Sequence, residues 1–382
     1  MTTTTAAWIA NDRDRSWSSP DQDDAALNFH RELTGYEPTA LVALPELARE
    51  LGVAAVFAKD ESTRLGLPAF KALGASWAVH RALEASKADP GAEVVTATDG
   101  NHGRAVARFA REAGHPARIF VPAGGIHPSA VAAIRDEGAE VVELDANYDE
   151  TVAAAADYAA EHGAVLVQDT AWDGYEEVPG WIVDGYSTLF REINAQLSDA
   201  GHHAPDLICV PTGVGSLLQA ALAHYRRAGA ISGAMSDGGG AVDGESTVDG
   251  AHDTAVVSVE PDSAACMGPS LAADRPVTVE TGKTIMSGLN CGTPSSLAWP
   301  LIRDGLDAAV TVSESAAVDA AHRLAELGVA AGPCGAASLA GAREALTGTD
   351  KDSRRRHLGV DADSVVVLTI TEGAEANPVP AI

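Results

Sequence analysis

KDESTRLGLPAFKALGAS, Lys59 to Ser76, is the stretch from which the rest of the chain can be read. The apolar run Ala54 to Lys59 reads as a strand with a charged end, Lys59-Asp60-Glu61. A turn follows at Leu65-Gly66-Leu67-Pro68, and Phe70-Lys71 then stand where a helix begins. Small residues at Ala72, Gly74, Ala75 and Ser76 let that helix start close to something bulky. A lysine placed there, shielded by Phe70 and with few cations nearby, is a candidate Schiff-base amine, because desolvation disfavours the ammonium and frees the nucleophile. Taken alone, the stretch is better read as a surface lysine capping a helix.

Outward from this stretch, strands and helices alternate. Trp77 to Ala85 continues the helix that Lys71 opens, and strands are expected at Glu93–Ala97, Ala117–Val121, Glu140–Leu144 and Val165–Gln168. Helices are expected between them at Arg104–Ala113, Ser129–Glu137 and Tyr148–Glu161. A second series holds the long helix Trp181–Gln196, strands at Asp206–Val210, Ala255–Val259 and Ser364–Ile370, and helices at Leu217–Ala228, Ser313–Leu327 and Gly335–Ala345. The strands are apolar throughout, as when helices cover both faces of a parallel sheet. The layout predicts two α/β domains built on open, twisted, mainly parallel sheets, with chemistry at the carboxyl ends of strands and between the domains. Residues 1–40 are polar and read as an irregular arm docked by Trp8 and Trp17. Residues 231–254, rich in Gly and Asp without periodicity, read as a solvated loop insertion.

Two further strand-to-helix junctions carry Gly-rich turns. Gly213-Val214-Gly215-Ser216 offers backbone N–H groups and a helix N-terminus to a phosphate. A dinucleotide site is disfavoured because Ser216-Leu217-Leu218 follows where GxGxxG needs its third glycine; a ligand-free tight turn is the plainer alternative. In Thr98-Asp99-Gly100-Asn101-His102-Gly103, exposed N–H groups suit a carboxylate and the Asn101 amide a ring hydroxyl, although a capped glycine turn explains the pattern equally well.

Composition narrows the function classes. The 382 residues carry a net charge of -28, which argues against nucleic acid or an anionic membrane as partner. Lysine is confined to Lys59, Lys71, Lys87, Lys283 and Lys351, and acidic residues are spread along the chain, a pattern suited to a salt-loaded cytoplasm and hence a halophilic source. No run has the apolar length of a membrane span, and the N-terminus has no secretory pattern. The scattered Cys209, Cys266, Cys291 and Cys334 lack metal-ligand spacing and are expected as reduced thiols in a cytoplasm; with the histidines forming no ligand set, no catalytic metal is expected.

A lysine at one junction, a GNHG turn at the next and a GVGS cup in the second series are together far more specific than any one of them. The chain resembles the pyridoxal-phosphate enzymes of fold type II, the tryptophan-synthase-β-like fold, and within them the diaminopropionate ammonia-lyases. The segments that carry the resemblance are Lys59–Ser76, ATDGNHGR (Ala97–Arg104), QDTAWDGYEEVPGWIVDGYST (Gln168–Thr188), GVGS (Gly213–Ser216), TIMSGLNCGTPS (Thr284–Ser295) and TEG (Thr371–Gly373). Departures are the 231–254 insertion, Pro68 where some members carry Asn, and a short tail after TEG.

The resemblance implies a large cofactor-binding domain of residues 1–74 and 178–382, a small domain of 75–177, and a homodimer. It implies that Lys71 holds pyridoxal 5'-phosphate and later acts as a base. Asn101 would contact the cofactor's ring oxygen, Gly213, Val214, Gly215 and Ser216 its phosphate, and Thr371 its pyridine nitrogen. A neutral hydroxyl there favours β-elimination over transamination. Asp99 and Asp169 would recognise a β-ammonium group, with Thr98 and Gly100 beside them, and would supply a second base opposite Lys71, so that both D and L substrates react. Their plainer readings are a helix cap and a strand-end turn. The expected reaction is loss of ammonia from 2,3-diaminopropionate to give pyruvate and ammonia. Alternatives are a threonine or serine dehydratase or a racemase on the same fold, a silent small-ligand sensor, and a nucleotide-dependent dehydrogenase. Cys266 and Cys291 would flank the substrate entrance, where a regulatory disulfide is conceivable.

Overall fold

The computed structural model describes residues 7–98, 100–124, 126–227 and 253–379. Asp99 and, of the expected insertion, residues 231–252 lie outside the described residues. Strands occur at β1 (Trp8–Ala10), β2 (Leu41–Ala43), β3 (Ala55–Asp60), β4 (Val94–Ala97), β5 (Ala117–Pro122), β6 (Glu140–Leu144), β7 (Val165–Leu166), β8 (Leu207–Pro211), β9 (Ala255–Pro261), β10 (Ala308–Val312) and β11 (Val365–Ile370). They form a seven-stranded sheet in the order β1-β10-β9-β8-β11-β3-β2 and a four-stranded sheet in the order β6-β5-β4-β7. The four-stranded sheet is parallel throughout, and the larger sheet is parallel except for β1 and β2 at its two edges.

The sequence explains the centre of the large sheet. Every residue of β8, β9 and β11 is buried, as the unbroken Val, Ile and Leu runs require when helices cover both faces. The rule fails at β6, where Glu140 and Glu143 are exposed. β6 is an edge strand, so it tolerates charge, and Glu140 accepts a hydrogen bond from Arg118 on its neighbour at 2.5 Å.

The irregular arm expected at 1–40 is corrected. Trp8–Ala10 pairs antiparallel with β10, and Ala25–Glu32 is a helix with Ala26, Leu27 and His30 buried. A three-residue strand has no period to read; its partner defines it. The same reason hides β2, and short length hides the helices Met267–Ala273, Trp299–Gly305 and Lys351–Leu358; β10 was not expected, although its run AAVTV is apolar. Thr254 departs from a solvated loop, being buried, whereas Asp253 is exposed and pairs with Arg13 and Arg15. Lys59, read as a charged strand end, is fully buried and paired with Glu192 at 2.6 Å.

The bulky partner of the helix Lys71–Ala85 is the helix Glu177–Asp199. A Cβ on Gly74 would lie 2.5 Å from the Tyr186 ring, and one on Gly185 would lie 2.6 Å from the Leu73 carbonyl oxygen. These two glycines let the helices cross at close range and bring Tyr186 against Phe70, with ring centroids 4.7 Å apart.

Candidate active site

The site collects the carboxyl ends of β3, β4, β7, β8 and β11, the edge at which parallel α/β sheets present loops to ligands. Lys71 is the first residue of its helix, and its Nζ donates to Asp169 Oδ2 at 2.7 Å. Aromatic rings line the amine, with Phe70 5.4 Å and Tyr186 6.0 Å from Nζ to ring centroid. Asp169 follows β7 and is buried; Gln168 Nε2 donates to its Oδ1 at 3.2 Å. Gln168 is itself fixed, because its Oε1 accepts from Thr96 Oγ1 and from the Ala97 N–H, both at 2.9 Å. Burial pushes the Asp169 carboxyl up, but His102 and Lys71 outweigh it and hold the group down at about 2. Asp169 is therefore an anion that neutralises the site amine.

His102 stands behind this pair. Its Nε2 lies 2.9 Å from the Val167 carbonyl oxygen, which can only accept, so Nε2 carries the proton. Burial lowers the imidazole below its ordinary value, while Asp169, beside its Nδ1, pulls the other way. That buried Nδ1 has no hydrogen-bond partner and lies 3.9 Å from Asp169 Oδ2. Metal-ligand spacing gives no hint of His102, because its role is set by a carboxylate remote in sequence; its place inside GNHG was the available signal.

Asn101 opens the helix Asn101–Glu112, so the GNHG turn is already its first turn. Its Nδ2 donates to Glu372 Oε2 at 2.8 Å, an interaction that the sequence did not suggest. Thr98 Oγ1 accepts from the N–H groups of Gly100 and Gly103, each at 3.0 Å, so this side chain shapes the turn. Gly103 must lack a Cβ, which would fall 2.3 Å from the Thr98 methyl.

The glycine cup lies after β8. Gly215 has φ +103, in the left-handed region, and Ser216 opens the helix Ser216–Tyr225. A Cβ on Gly213 would come 3.0 Å from both Cys291 Sγ and the Gly288 carbonyl oxygen, and one on Gly215 3.0 Å from Ile302 Cδ1. The Val214 carbonyl accepts from the Ser295 N–H at 2.8 Å, tying the cup to the TIMSGLNCGTPS segment. Ser216 Oγ lies 3.5 Å from the Asp169 carbonyl oxygen, which places cup and carboxylate in one site. All four cysteines are outside disulfides, so Cys266 and Cys291 are not joined here.

Thr371 follows β11 directly. Its carbonyl accepts from the Phe70 N–H at 3.0 Å, while its buried Oγ1 has no partner. Buried hydroxyls are normally bonded, so this one marks a position where a ligand atom completes the site.

The pyridoxal-phosphate dependent enzyme family model matches residues 33–370. The chain belongs to this family. A diaminopropionate ammonia-lyase of Escherichia coli (strain K12) is 34% identical over 93% of this chain and 89% of its own length. The crystal structure of the E. coli diaminopropionate ammonia-lyase with an aminoacrylate-PLP azomethine reaction intermediate superposes with a TM-score of 0.81 at 31% identity, covering 96% of this chain and 94% of that one. A serine racemase from maize superposes with a TM-score of 0.73 at 25% identity, over 94% of this chain and 94% of that one.

The residues present fit the cofactor of this pyridoxal-phosphate enzyme. Lys71 supplies an amine, the Gly213–Ser216 turn supplies backbone N–H groups at a helix N-terminus, and the unpartnered Thr371 hydroxyl supplies a neutral partner. Among the described residues no group of His, Cys, Asp or Glu is placed to hold a metal ion, and no helix is long and apolar enough to cross a membrane.

Proposed function

We propose that this chain eliminates ammonia from 2,3-diaminopropionate, and that water hydrolyses the released aminoacrylate to pyruvate and a second ammonia. The observation that carries the reading is the Lys71–Asp169 pair at 2.7 Å: an amine and a buried anion face one another where the cofactor belongs. The cofactor supplies the electron withdrawal that acidifies the substrate's α-carbon. Lys71 holds that cofactor and takes the α-proton from one face of the substrate. Asp169 and Asp99 attract the β-ammonium, and one of these two carboxylates takes the α-proton of the other isomer, so both stereoisomers are substrates. Asn101 positions the ring oxygen, Gly213, Val214, Gly215 and Ser216 hold the phosphate, and Thr371 keeps the pyridine nitrogen beside a neutral group. Thr98 and Gly100 shape the substrate side.

The test is pyruvate release from D- and L-2,3-diaminopropionate beside a panel of serine and threonine. Turnover of diaminopropionate is expected, and Asp99→Asn should harm one isomer more than the other. Turnover of the hydroxyamino acids alone would move the assignment to a dehydratase.

Further parts of the reading are the division into residues 1–74 with 178–382 and residues 75–177, supported by one sheet lying within each part. A cytoplasmic homodimer adapted to high salt is also proposed, from the family resemblance, the thiols outside disulfides and the net charge of -28. Sedimentation and a melting curve against KCl test these points; full stability at low salt counts against halophily.

A further inference from the structure

The proposed chemistry leaves one buried carboxylate of the site unused. Glu372, in the TEG segment after β11, is 3% exposed. Its main chain is woven into the Lys71 loop: Ala69 and Glu372 form an antiparallel bridge, the Phe70 N–H donates to the Thr371 carbonyl at 3.0 Å, and the Gly373 N–H to the Pro68 carbonyl at 3.0 Å. On its other side the Gly332 N–H donates to its carbonyl at 3.0 Å. Its side chain reaches the other sheet. Oε2 accepts from Asn101 Nδ2 at 2.8 Å, while Oε1 accepts from Asn377 Nδ2 and from the Cys334 N–H, both at 3.3 Å. Cys334 lies in the first turn of the 15-residue helix Pro333–Thr347, whose positive end stabilises the anion. Burial raises the carboxyl above its ordinary value, and the donors Cys334, Asn377 and Asn101 pull against it. Among the described residues, no lysine or arginine is one of its hydrogen-bond partners.

Both carboxyl oxygens of Glu372 act as acceptors, and the amide nitrogen of Asn101, not its oxygen, faces Oε2. The rotation of the Asn101 amide is thereby fixed. One N–H of Nδ2 is held by Glu372 and the other remains directed by the same rotamer. The ring oxygen of pyridoxal phosphate, an acceptor when ionised, needs that second N–H; an amide turned by half a rotation would offer it an oxygen.

We infer that Glu372 is the positioning residue that sets the Asn101 amide as a donor toward the cofactor's ring oxygen, and that it does so across the two sheets from the loop that carries Lys71. The inference rests on the reading of Asn101 as a cofactor contact. It gives TEG a role beyond Thr371: one turn sets the partner of the ring nitrogen, the main chain of the Lys71 loop and the donor to the ring oxygen.

The experiment titrates pyridoxal 5'-phosphate into the apo forms of the full-length wild type, Glu372→Gln, Asn101→Ala and the double variant, reading the dissociation constant by tryptophan fluorescence and the absorbance of the loaded protein against pH. A glutamine offers both a donor and an acceptor to Asn101, so it abolishes the choice of rotamer while keeping the volume. Loss of one charge-assisted contact predicts cofactor binding weaker by about tenfold in Glu372→Gln. The pH at which the visible band changes should move, and the double variant should be no worse than Asn101→Ala. Losses that add fully in the double variant, or an unchanged constant and band in Glu372→Gln, overturn the inference while the wild type still binds. A wild type that binds no cofactor overturns the cofactor reading and this inference together. Should Glu372→Gln not fold, Glu372→Asp keeps the charge and withdraws it from Asn101 by one methylene. A shifted band then supports the inference, and wild-type behaviour overturns it.

Discussion

Two lysine–carboxylate pairs stand at the two ends of the same short stretch, and they are built in opposite ways. Lys59 bonds Glu192 at 2.6 Å and Lys71 bonds Asp169 at 2.7 Å. Around Lys59 every requirement is met. Its ammonium has three donors, and they go to Glu192 Oε2, the Thr39 carbonyl and Gln196 Oε1 within 2.8 Å. Arg64, also fully buried, forks onto Glu61 and Glu192 and reaches Thr39 Oγ1. Two cations face two anions and the charges cancel. Around Lys71 polar atoms are left over: His102 Nδ1 and Thr371 Oγ1 are buried without partners. The first cluster is a closed device that locks β3 to the helix Glu177–Asp199. The second leaves buried polar atoms for a ligand to meet. Saturation locks the first pair in place, and deficit leaves the second open to a further group, although the residue types are the same.

The comparison is broken or sharpened by variants of matching residues. Lys71→Ala is expected to lower elimination by about 10⁴-fold or more and, by leaving buried Asp169 without its ammonium, to destabilise the apo protein by about 2 kcal/mol. Lys59→Met should cost more stability and no chemistry. It strands Glu192 beside a single arginine, costs about 3–5 kcal/mol of stability in denaturant titration, and leaves activity per folded molecule near wild type. A Lys59 variant that is stable but inactive would place that cluster in the chemistry.

Asp169→Asn should cost about 10²–10⁴ in turnover. It also has a pH signature. The folded-state value of about 2 lies below the ordinary 3.8, so ionised Asp169 contributes stability that is present above 3.8 and lost as pH falls toward 2. The loss is about 2 kcal/mol, read as a wild-type-minus-variant difference in acid unfolding. A flat difference would show that the Lys71–Asp169 pair is not formed in solution.

The smallest and sharpest test uses two threonines. Thr39 Oγ1 donates to Glu61 at 2.6 Å and accepts from Arg64 at 2.9 Å, so Thr39→Val should destabilise by about 1–3 kcal/mol. Thr371→Val removes a hydroxyl with no partner, so the apo protein should be unchanged or stabilised by up to about 1 kcal/mol, while the cofactor's spectrum shifts. Equal destabilisation of both variants in the apo protein would erase the distinction.

The division between what was legible and what was not follows these clusters. The strands β8, β9 and β11 and the helix opening at Lys71 were readable because their signals are local: buried runs of Val, Ile and Leu, and small residues after a turn. β1 and β2 were not, because a three-residue edge strand is defined by the neighbour that pairs with it; β10, as long as β8, carries an equally apolar run that was not read as a strand. In the site, Lys71, Asn101, Gly213, Gly215 and Thr371 each sit on a recognisable junction. Glu372 and His102 escaped notice because each acts on a residue that only folding brings near.

By itself, the sequence determined the α/β alternation, the lysine at a helix mouth, the glycine cup and the acidic surface, all of which depend on neighbours a few residues away. Tertiary structure alone decided that Lys59 is sealed in a paired cluster and that Asp169 faces Lys71. Glu192 comes to Lys59 from 133 residues away, Asp169 to Lys71 from 98, and Glu372 to Asn101 from 271. Burial, charge balance and unpaired donors are properties of such assembled neighbourhoods, and no stretch of chain carries them alone.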